Sequence, residues 1–460
     1  MKSIHKSEAD IVIDDYIDVF SSYSFKNLLY GKVSLHVILG QILSNKICYK
    51  MGSRIIDPRI HMFLIKPQGT GKGSGYGFVE RFTGDLSMDF QKLTESTDAG
   101  LAGTIKYNKK SGKEEIIEGL LKSADILGME EASVLLDFTS EFSKKNMTYM
   151  QITMNPLEDS SCFISKKLGS ELIEFKPHAS FILMSYPPDN LVEKILKTGF
   201  FDRLVPIFED VTLEDRLDTI RRMSENINIS PAKQSELKKK YNNLMSKFLA
   251  INQRFGKESS GSTKIVKIDD DIHQKMISVI EEFAMKILDV SPKAREKLEH
   301  FITRLYEILL KFAIHHAILD GRLYLDTSDV LYARLIYQPI WQNLIISLES
   351  LIVISPIERM QRHKLIRCAL EEYDKQLKLK KFLKDDKWVK RLSMLPGLQE
   401  KWDNCSKETA HYNLQKLEKH KGEYADFKVI EKYEKDKYFE TKDIGGFTYI
   451  KKIRDIKGGK

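Results

Sequence analysis

Little in this chain points to the cell exterior or to a membrane. Its 460 residues include only four cysteines, Cys48, Cys162, Cys368 and Cys405. No two are spaced as metal ligands or as a redox pair, which excludes a disulfide framework and predicts a reducing compartment. The opening Met1-Lys2-Ser3-Ile4-His5 runs into acidic residues and lacks the apolar core of a signal peptide. Long apolar runs are also missing. Residues 344–354 come nearest, and Ser347 and Glu349 interrupt them short of a bilayer's width. No internal repeat or long low-complexity segment is present. With 42% hydrophobic and 30% charged residues, disordered and fibrous classes fall away, and a soluble, cytoplasmic protein without membrane contact is expected. The length suits two to four domains.

Charge is unevenly spread. Residues 359–460 hold 27 Lys+Arg against 17 Asp+Glu, whereas the rest of the chain is near neutral. A basic C-terminal module on a neutral body fits a polyanion partner. A solvated lysine-rich surface fits the charge alone equally well.

Residues 1–58 read as mostly helical, with a turn at Asp57-Pro58. Short apolar runs then alternate with polar or helical stretches, at residues 61–65, 124–129, 179–184 and 205–208. That alternation predicts an α/β domain with a largely parallel sheet over 59–212. Helices are expected at 213–225, 232–255, 271–288, 292–319 and 328–346, forming a helical region over 213–354. Ser291 and Pro292 mark the start of the fourth.

The basic module, 359–460, reads as helices at 363–377, 384–390 and 406–419, then strands at 427–430 and 447–450 around a charged turn at 432–442. This describes a winged helix-turn-helix whose recognition helix, 406–419, carries Lys407 and Lys416 as DNA contacts. A small helical domain with a hairpin that docks protein fits the same pattern.

The segment Gly69-Thr70-Gly71-Lys72-Gly73-Ser74 follows the first apolar run and precedes an expected helix at 77–82. Backbone N–H groups, a helix N-terminus and a lysine for the β/γ oxygens are what phosphate binding requires. Two positions depart from G-x-x-x-x-G-K-[ST]: Lys66 stands for the first glycine, and Gly73 for the hydroxyl residue, which leaves Ser74 as the candidate magnesium ligand. The apolar run 126–129 ends in Glu130-Glu131, a metal-orienting acid and a general base in this reading. Arg203, just before the run 205–208, is a candidate arginine finger; a salt bridge to Asp202 or Asp210 is the alternative. His315-His316 read as packing residues, and Phe301, Tyr306 and Phe312 as core.

Together these motifs resemble the minichromosome-maintenance branch of AAA+ helicases. Residues 97–104 are similar to that family's "GLTA" segment. Residues 119–125 are similar to "GALVLAD", after which Glu130-Glu131 fall on its Asp-Glu, and 200–208 are similar to "LLSRFDLIF", which puts Arg203 on the finger. Residues 298–317 and 325–330 resemble its lid, with Lys297 or Arg304 as sensor 2. The resemblance implies a P-loop AAA+ core with a parallel sheet, an α-helical lid and a C-terminal winged helix, with ATP and Mg²⁺ bound between the subunits of a homo-oligomeric ring, a hexamer. It implies ATP-driven translocation on DNA in replication, with Lys72, Glu131 and Arg203 catalytic and Arg304 on the nucleotide. A hairpin within 162–173 would place Lys166 and Lys167 in the channel, although an ordinary exposed hairpin fits those residues nearly as well. Glu130 replaces the family's Asp, and Tyr186 falls on the sensor 1 Asn, leaving Ser185 or Tyr186 to position water. The 58 N-terminal residues are too few for the family's N-terminal domain, which implies a virus, plasmid or other mobile element. Two alternatives remain: an initiator or loader acting as a nucleotide switch on origin DNA, and, disfavoured for want of an arginine-rich lid behind the loop, a nucleotide kinase.

Overall fold

A computed structural model of the chain describes residues 6–24, 28–67, 69–93, 98–108, 113–132, 141–168, 171–186, 199–209, 229–255, 263–288, 290–353, 388–402, 404–419, 439–444 and 447–452, with a few isolated helical positions between them. They group into two compact units, Met1–Ile345 and Ile346–Lys460. No helix among them is long and apolar enough to cross a membrane.

The first unit opens with α1 (Glu8–Ser21). Its start is fixed by a capping box in which Ser7 Oγ accepts from the Asp10 N–H while the Asp10 carboxylate accepts from the Ser7 N–H. α2 (Leu28–Leu43) is buried on nearly all sides, as a helix apolar all round must be. It lies against the central strands and against α1. The chain then departs from the helical expectation for residues 1–58. β1 (Ile47–Met51) and β2 (Arg54–Ile56) form an antiparallel pair. α1 packs on later helices of the same unit.

The core follows in chain order: β3 (Met62–Ile65), α3 (Lys72–Asp85), β4 (Phe90–Lys92), α4 (Asp98–Ala102), β5 (Thr104–Asn108), β6 (Lys113–Ile117), α5 (Leu120–Ser123), β7 (Ile126–Met129), α6 (Glu141–Thr153), β8 (Ile164–Leu168), β9 (Glu171–Phe175), β10 (Ser180–Ser185) and β11 (Val205–Phe208). Five strands make one parallel sheet in the order β11-β3-β10-β7-β4. Strands β3, β7, β10 and β11 are buried along their whole length, as strands covered on both faces are. The hairpins β5–β6 and β8–β9 stand outside this sheet.

The helical remainder comprises α7 (Pro231–Arg254), α8 (Asp270–Met285), α9 (Pro292–Leu319) and α10 (Thr327–Val353), with β12 (Lys264–Ile265) added parallel to β1. Most of the helix expected at 213–225 lies outside the described residues. His315 and His316 are buried packing residues. His315 Nε2 lies 2.9 Å from the Pro58 carbonyl, which can only accept, so Nε2 carries the proton and Nδ1 accepts from His36 Nδ1–H at 3.1 Å. His36 Nε2 in turn accepts from the Tyr332 hydroxyl at 2.7 Å. One acceptor thus orients a chain of three donors, with both rings neutral.

The second unit departs from expectation in detail. Residues 388–390 of the expected 384–390 helix form β13 (Trp388–Lys390), and the helix lies further on, as α11 (Leu395–Lys401), started by its proline. α12 (Lys407–Lys419) matches its expected position. The hairpin is β14 (Phe439–Ile444) with β15 (Phe447–Lys452), in the sheet order β13-β15-β14. Residues 427–430 and 432–438 lie outside the described residues, and Phe439 to Lys442, expected in the turn, belong to β14. Val389, Leu395, Leu398, Trp402, Ala410, Leu414 and Ile450 are among the residues of this unit's core.

Two measurements test this packing. On α3, a Cβ at Gly75 would stand 2.6 Å from Tyr30, 2.8 Å from Ser24 Oγ and 2.9 Å from Phe20, whereas one at Gly77 would meet nothing. Gly75→Ala is therefore expected to destabilise by about 1–3 kcal/mol. Gly77→Ala on the same helix should stabilise by up to about 1 kcal/mol, both read by denaturant unfolding.

The second concerns acid. Burial pushes the pKa of His36 and of His61 well down and that of His315 from 6.5 to about 3. Below pH 6.5 the unfolded chain takes up protons at these sites while the folded chain does not. Stability, complete above that pH, then falls by up to about 1.4 kcal/mol per pH unit for each histidine. His315→Gln, which keeps a donor for Pro58 and removes the titration, should flatten the decline of the urea midpoint between pH 7 and 5.

Candidate functional site

The lysine loop leaves the end of β3, and α3 begins at Lys72, earlier than the residue 77 expected. Gly69 and Gly71 have φ of 70° and 77°, left-handed values that favour glycine. Gly71 caps α3 without a side chain, so the first-turn N–H groups of Lys72, Gly73 and Ser74 have no side-chain cap, as a helix N-terminus that accepts an anion requires. The loop is held from behind: Thr70 Oγ1 donates to the Pro67 carbonyl and Ser24 Oγ to the Gly71 carbonyl, each at 2.8 Å. Lys66, at the position of the missing glycine, is buried and paired with Glu209 at the end of β11.

Lys72 donates to the carbonyls of Lys66 at 2.6 Å and Ser185 at 3.1 Å, and its ammonium stands 3.8 Å above the Tyr186 ring centroid. These are the ends of β3 and β10, neighbouring strands, and the strands that follow them in chain order in this sheet, β4 and β11, lie at its opposite edges. Such a point is where open α/β sheets form a ligand crevice. Burial, and then the charge of Lys66, push the Lys72 pKa down to about 8 against the pull of Glu131 and Glu130.

Those two glutamates follow β7 and are exposed. Glu130 Oε1 lies 3.7 Å from where a Cβ on Gly73 would stand, so its carboxylate flanks the first turn of α3. The Ser74 hydroxyl is exposed on that same turn. A hydroxyl and carboxylates beside the first turn of α3 form an oxygen donor set of the kind Mg²⁺ takes, so the residues present fit MgATP.

Arg203 is elsewhere. It ends a 3₁₀ turn, Phe201–Arg203, that leads into β11, and it donates to the Gly199 carbonyl. Val205 pairs with Met62 and Phe208 with Ile65, so Arg203 sits at the starting edge of strands whose far ends carry the lysine loop, roughly 13 Å away. Burial, then the neighbouring Arg304, lowers the Arg203 pKa. Arg304, on α9, lies 3.7 Å from Glu307, which also holds Lys311 at 2.9 Å. Arg304 therefore keeps company with Arg203 and not with the Lys72 loop of its own chain. Lys297 lies 3.2 Å from Glu296.

The expected hairpin is β8–β9, but its two lysines face opposite ways. Burial alternates along β8, so Lys166 pairs with buried Ile173 and Lys167 with exposed Leu172. Lys166 Nζ donates to the Gly103 carbonyl at 3.0 Å, fastening the hairpin to the start of β5. Lys166 is thus a buried tether, and Lys167 alone of the two faces solvent. In the second unit Lys407 is exposed in the first turn of α12, behind Ser406, whose hydroxyl accepts from the Thr409 N–H at 3.1 Å. Lys416 lies nine positions further along that helix, half a turn out of phase.

Ser24, Glu209 and the ring of Tyr186 belong to this site and were not singled out for these contacts by the sequence. Their partners are remote in the chain, and no local pattern marks them. No protein-family model matches the chain, and no curated protein matches it in sequence.

Proposed function

We propose that the chain is a P-loop ATPase of the AAA+ kind, similar to the minichromosome-maintenance branch, and that it works in the cytoplasm as an ATP-driven helicase or translocase of DNA replication. The observation that carries the reading is the division of its charged groups between two edges of one sheet. Lys72, Glu130 and Glu131 gather at the strand ends, whereas Arg203 and Arg304 gather at the strand starts. A complete site then needs the arginine edge of one copy against the lysine edge of the next, as in a ring such as a hexamer.

In that site the loop N–H groups hold the phosphates, and Lys72 meets the β/γ oxygens. Mg²⁺, when bound, neutralises phosphate charge, with Ser74 and Glu130 as the residues that would hold it. Glu131 takes the proton of the attacking water. Arg203, with Arg304 beside it, meets charge developing on the γ-phosphoryl group of the neighbouring copy. The second unit, with three short strands behind α11 and α12, is read as a winged helix that anchors DNA, and Lys167 as a channel contact. A second reading, a nucleotide switch that loads or initiates with little hydrolysis, is favoured by Tyr186, whose ring lies on Lys72 where an asparagine would orient water.

DNA-stimulated ATP hydrolysis tests the motor. Lys72→Ala and Arg203→Ala should each lose at least about a hundredfold in turnover. Mixing the two inactive chains should restore part of it, because some interfaces then pair an intact lysine edge with an intact arginine edge. A wild-type chain that stays monomeric without turnover in ATP and DNA ends the motor reading; tight ATP binding without turnover favours the switch.

DNA affinity measured against salt tests the contacts. Removing residues 359–460 should weaken binding most at low salt. Lys167→Ala should reduce the salt slope by about one, whereas Lys166→Met should lower stability and leave the slope unchanged.

A further inference from the structure

The ammonium of Lys72 is already engaged within its own chain. Of its three N–H donors, two meet the Lys66 and Ser185 carbonyls at 2.6 and 3.1 Å, and the charge sits over the face of Tyr186 at 3.8 Å. The ring is the only aromatic face recorded against this ammonium among the described residues. Ser185, the other residue at the end of β10, is buried, and its hydroxyl donates to the Tyr186 carbonyl at 2.9 Å. An anion that takes more than the remaining N–H must draw Lys72 away from at least one of these partners. The two carbonyls belong to the backbone of any such sheet, whereas the ring is particular to this sequence.

We propose that Tyr186 is a positioning residue for Lys72, its ring face holding the ammonium on the two strand-end carbonyls and so competing with polyphosphate for that lysine. The proposal rests on the nucleotide-binding reading above. It assigns the role to the aromatic face and not to the phenol hydroxyl, which separates it from a water-orienting role at the same position. Ligand affinity is reduced by the preference of Lys72 for its own chain, since a ligand shifts an equilibrium only by its differential affinity for the two arrangements.

The test uses the full-length chain as wild type, Tyr186→Phe, Tyr186→Leu and, as baseline, Lys72→Ala, titrated calorimetrically with pyrophosphate and with MgATP. Tyr186→Phe keeps the ring and should bind as wild type does. Tyr186→Leu keeps an apolar neighbour without the π face and should bind about 3- to 30-fold more tightly, the range expected for one cation–π contact. Tyr186→Met replaces the leucine variant if that chain does not fold.

Weaker or unchanged binding by Tyr186→Leu overturns the proposal, as does a phenylalanine variant that behaves like the leucine one. If no chain binds polyphosphate, the nucleotide reading falls and the competition with it. If nucleotide binds wild type and Tyr186→Leu equally, the nucleotide-binding reading stands and the role of Tyr186 falls.

Discussion

The pairing of β10 between β3 and β7 sets where every group at the lysine edge stands. Ser185 is level with Ile65 on one side, and Leu183 with Met129 on the other. That register carries Glu130 and Glu131 to the height of Met184 and Ser185, and a hydrogen bond of 2.7 Å from the Ala132 N–H to the Met184 carbonyl extends it past the end of β7. The Lys72 ammonium, on the Ser185 carbonyl at the end of β10, and the acids that follow β7 thereby stand at the ends of neighbouring strands, roughly 5 Å apart across the sheet. A one-residue slip would alter this height and also turn each buried strand residue to the opposite face. The cost of such a slip is what holds the candidate site in register.

Behind the sheet, burial is arranged so that the loop is braced rather than merely covered. α2 brings Tyr30 against Gly75 of α3, and the segment just before it brings Ser24 to the Gly71 carbonyl, so the N-terminal helices bear directly on the loop and its helix. The rings of Tyr16, Phe20, Phe78 and Phe82 interlock edge-to-face at centroid distances of 5.4–5.6 Å between α1 and α3. On the far side, the directed chain from Tyr332 through His36 and His315 to Pro58 ties α10, α2 and α9 to the residues that lead into β3. The helical region expected over 213–354 thus shares buried polar bonds with the core.

What was legible in the sequence follows from how far each signal reaches. The four buried strands were readable because each is a short apolar run bounded by polar residues, and α9 was placed at Pro292–Leu319 because proline at the first helical position marks its start. β1 and β2 were missed because the apolar spacing of α2 runs on through Ile42 and Ile47 without an obvious break. The opposite facing of Lys166 and Lys167 was readable in principle. In β8 and β9, Ile164, Lys166, Ile173 and Phe175 fall on one face by period two, and three of the four are apolar. The order of the sheet was not readable, since it depends on crossovers between strands that share no local pattern. Nor was the pair of Lys66 with Glu209, which joins residues from the first and last strands of that sheet. The sequence marked Lys66 as a departure from the phosphate-loop pattern; its burial against Glu209 means that the departure is accommodated away from the N–H groups of Lys72, Gly73 and Ser74.

The separation of Arg203 and Arg304 from Lys72 also restricts how copies of this chain can meet under the proposed function. A two-fold dimer uses the same patch on both partners, so it would need the lysine edge and the arginine edge within one surface. They lie at opposite ends of strands that are themselves buried along their length. A head-to-tail contact has no such requirement: each copy offers one edge to the copy before it and the other to the copy after, and the series ends only by closing on itself. Under the proposed function the two ends would therefore favour a closed ring over a symmetric pair, with the catalytic unit at the junction between two chains.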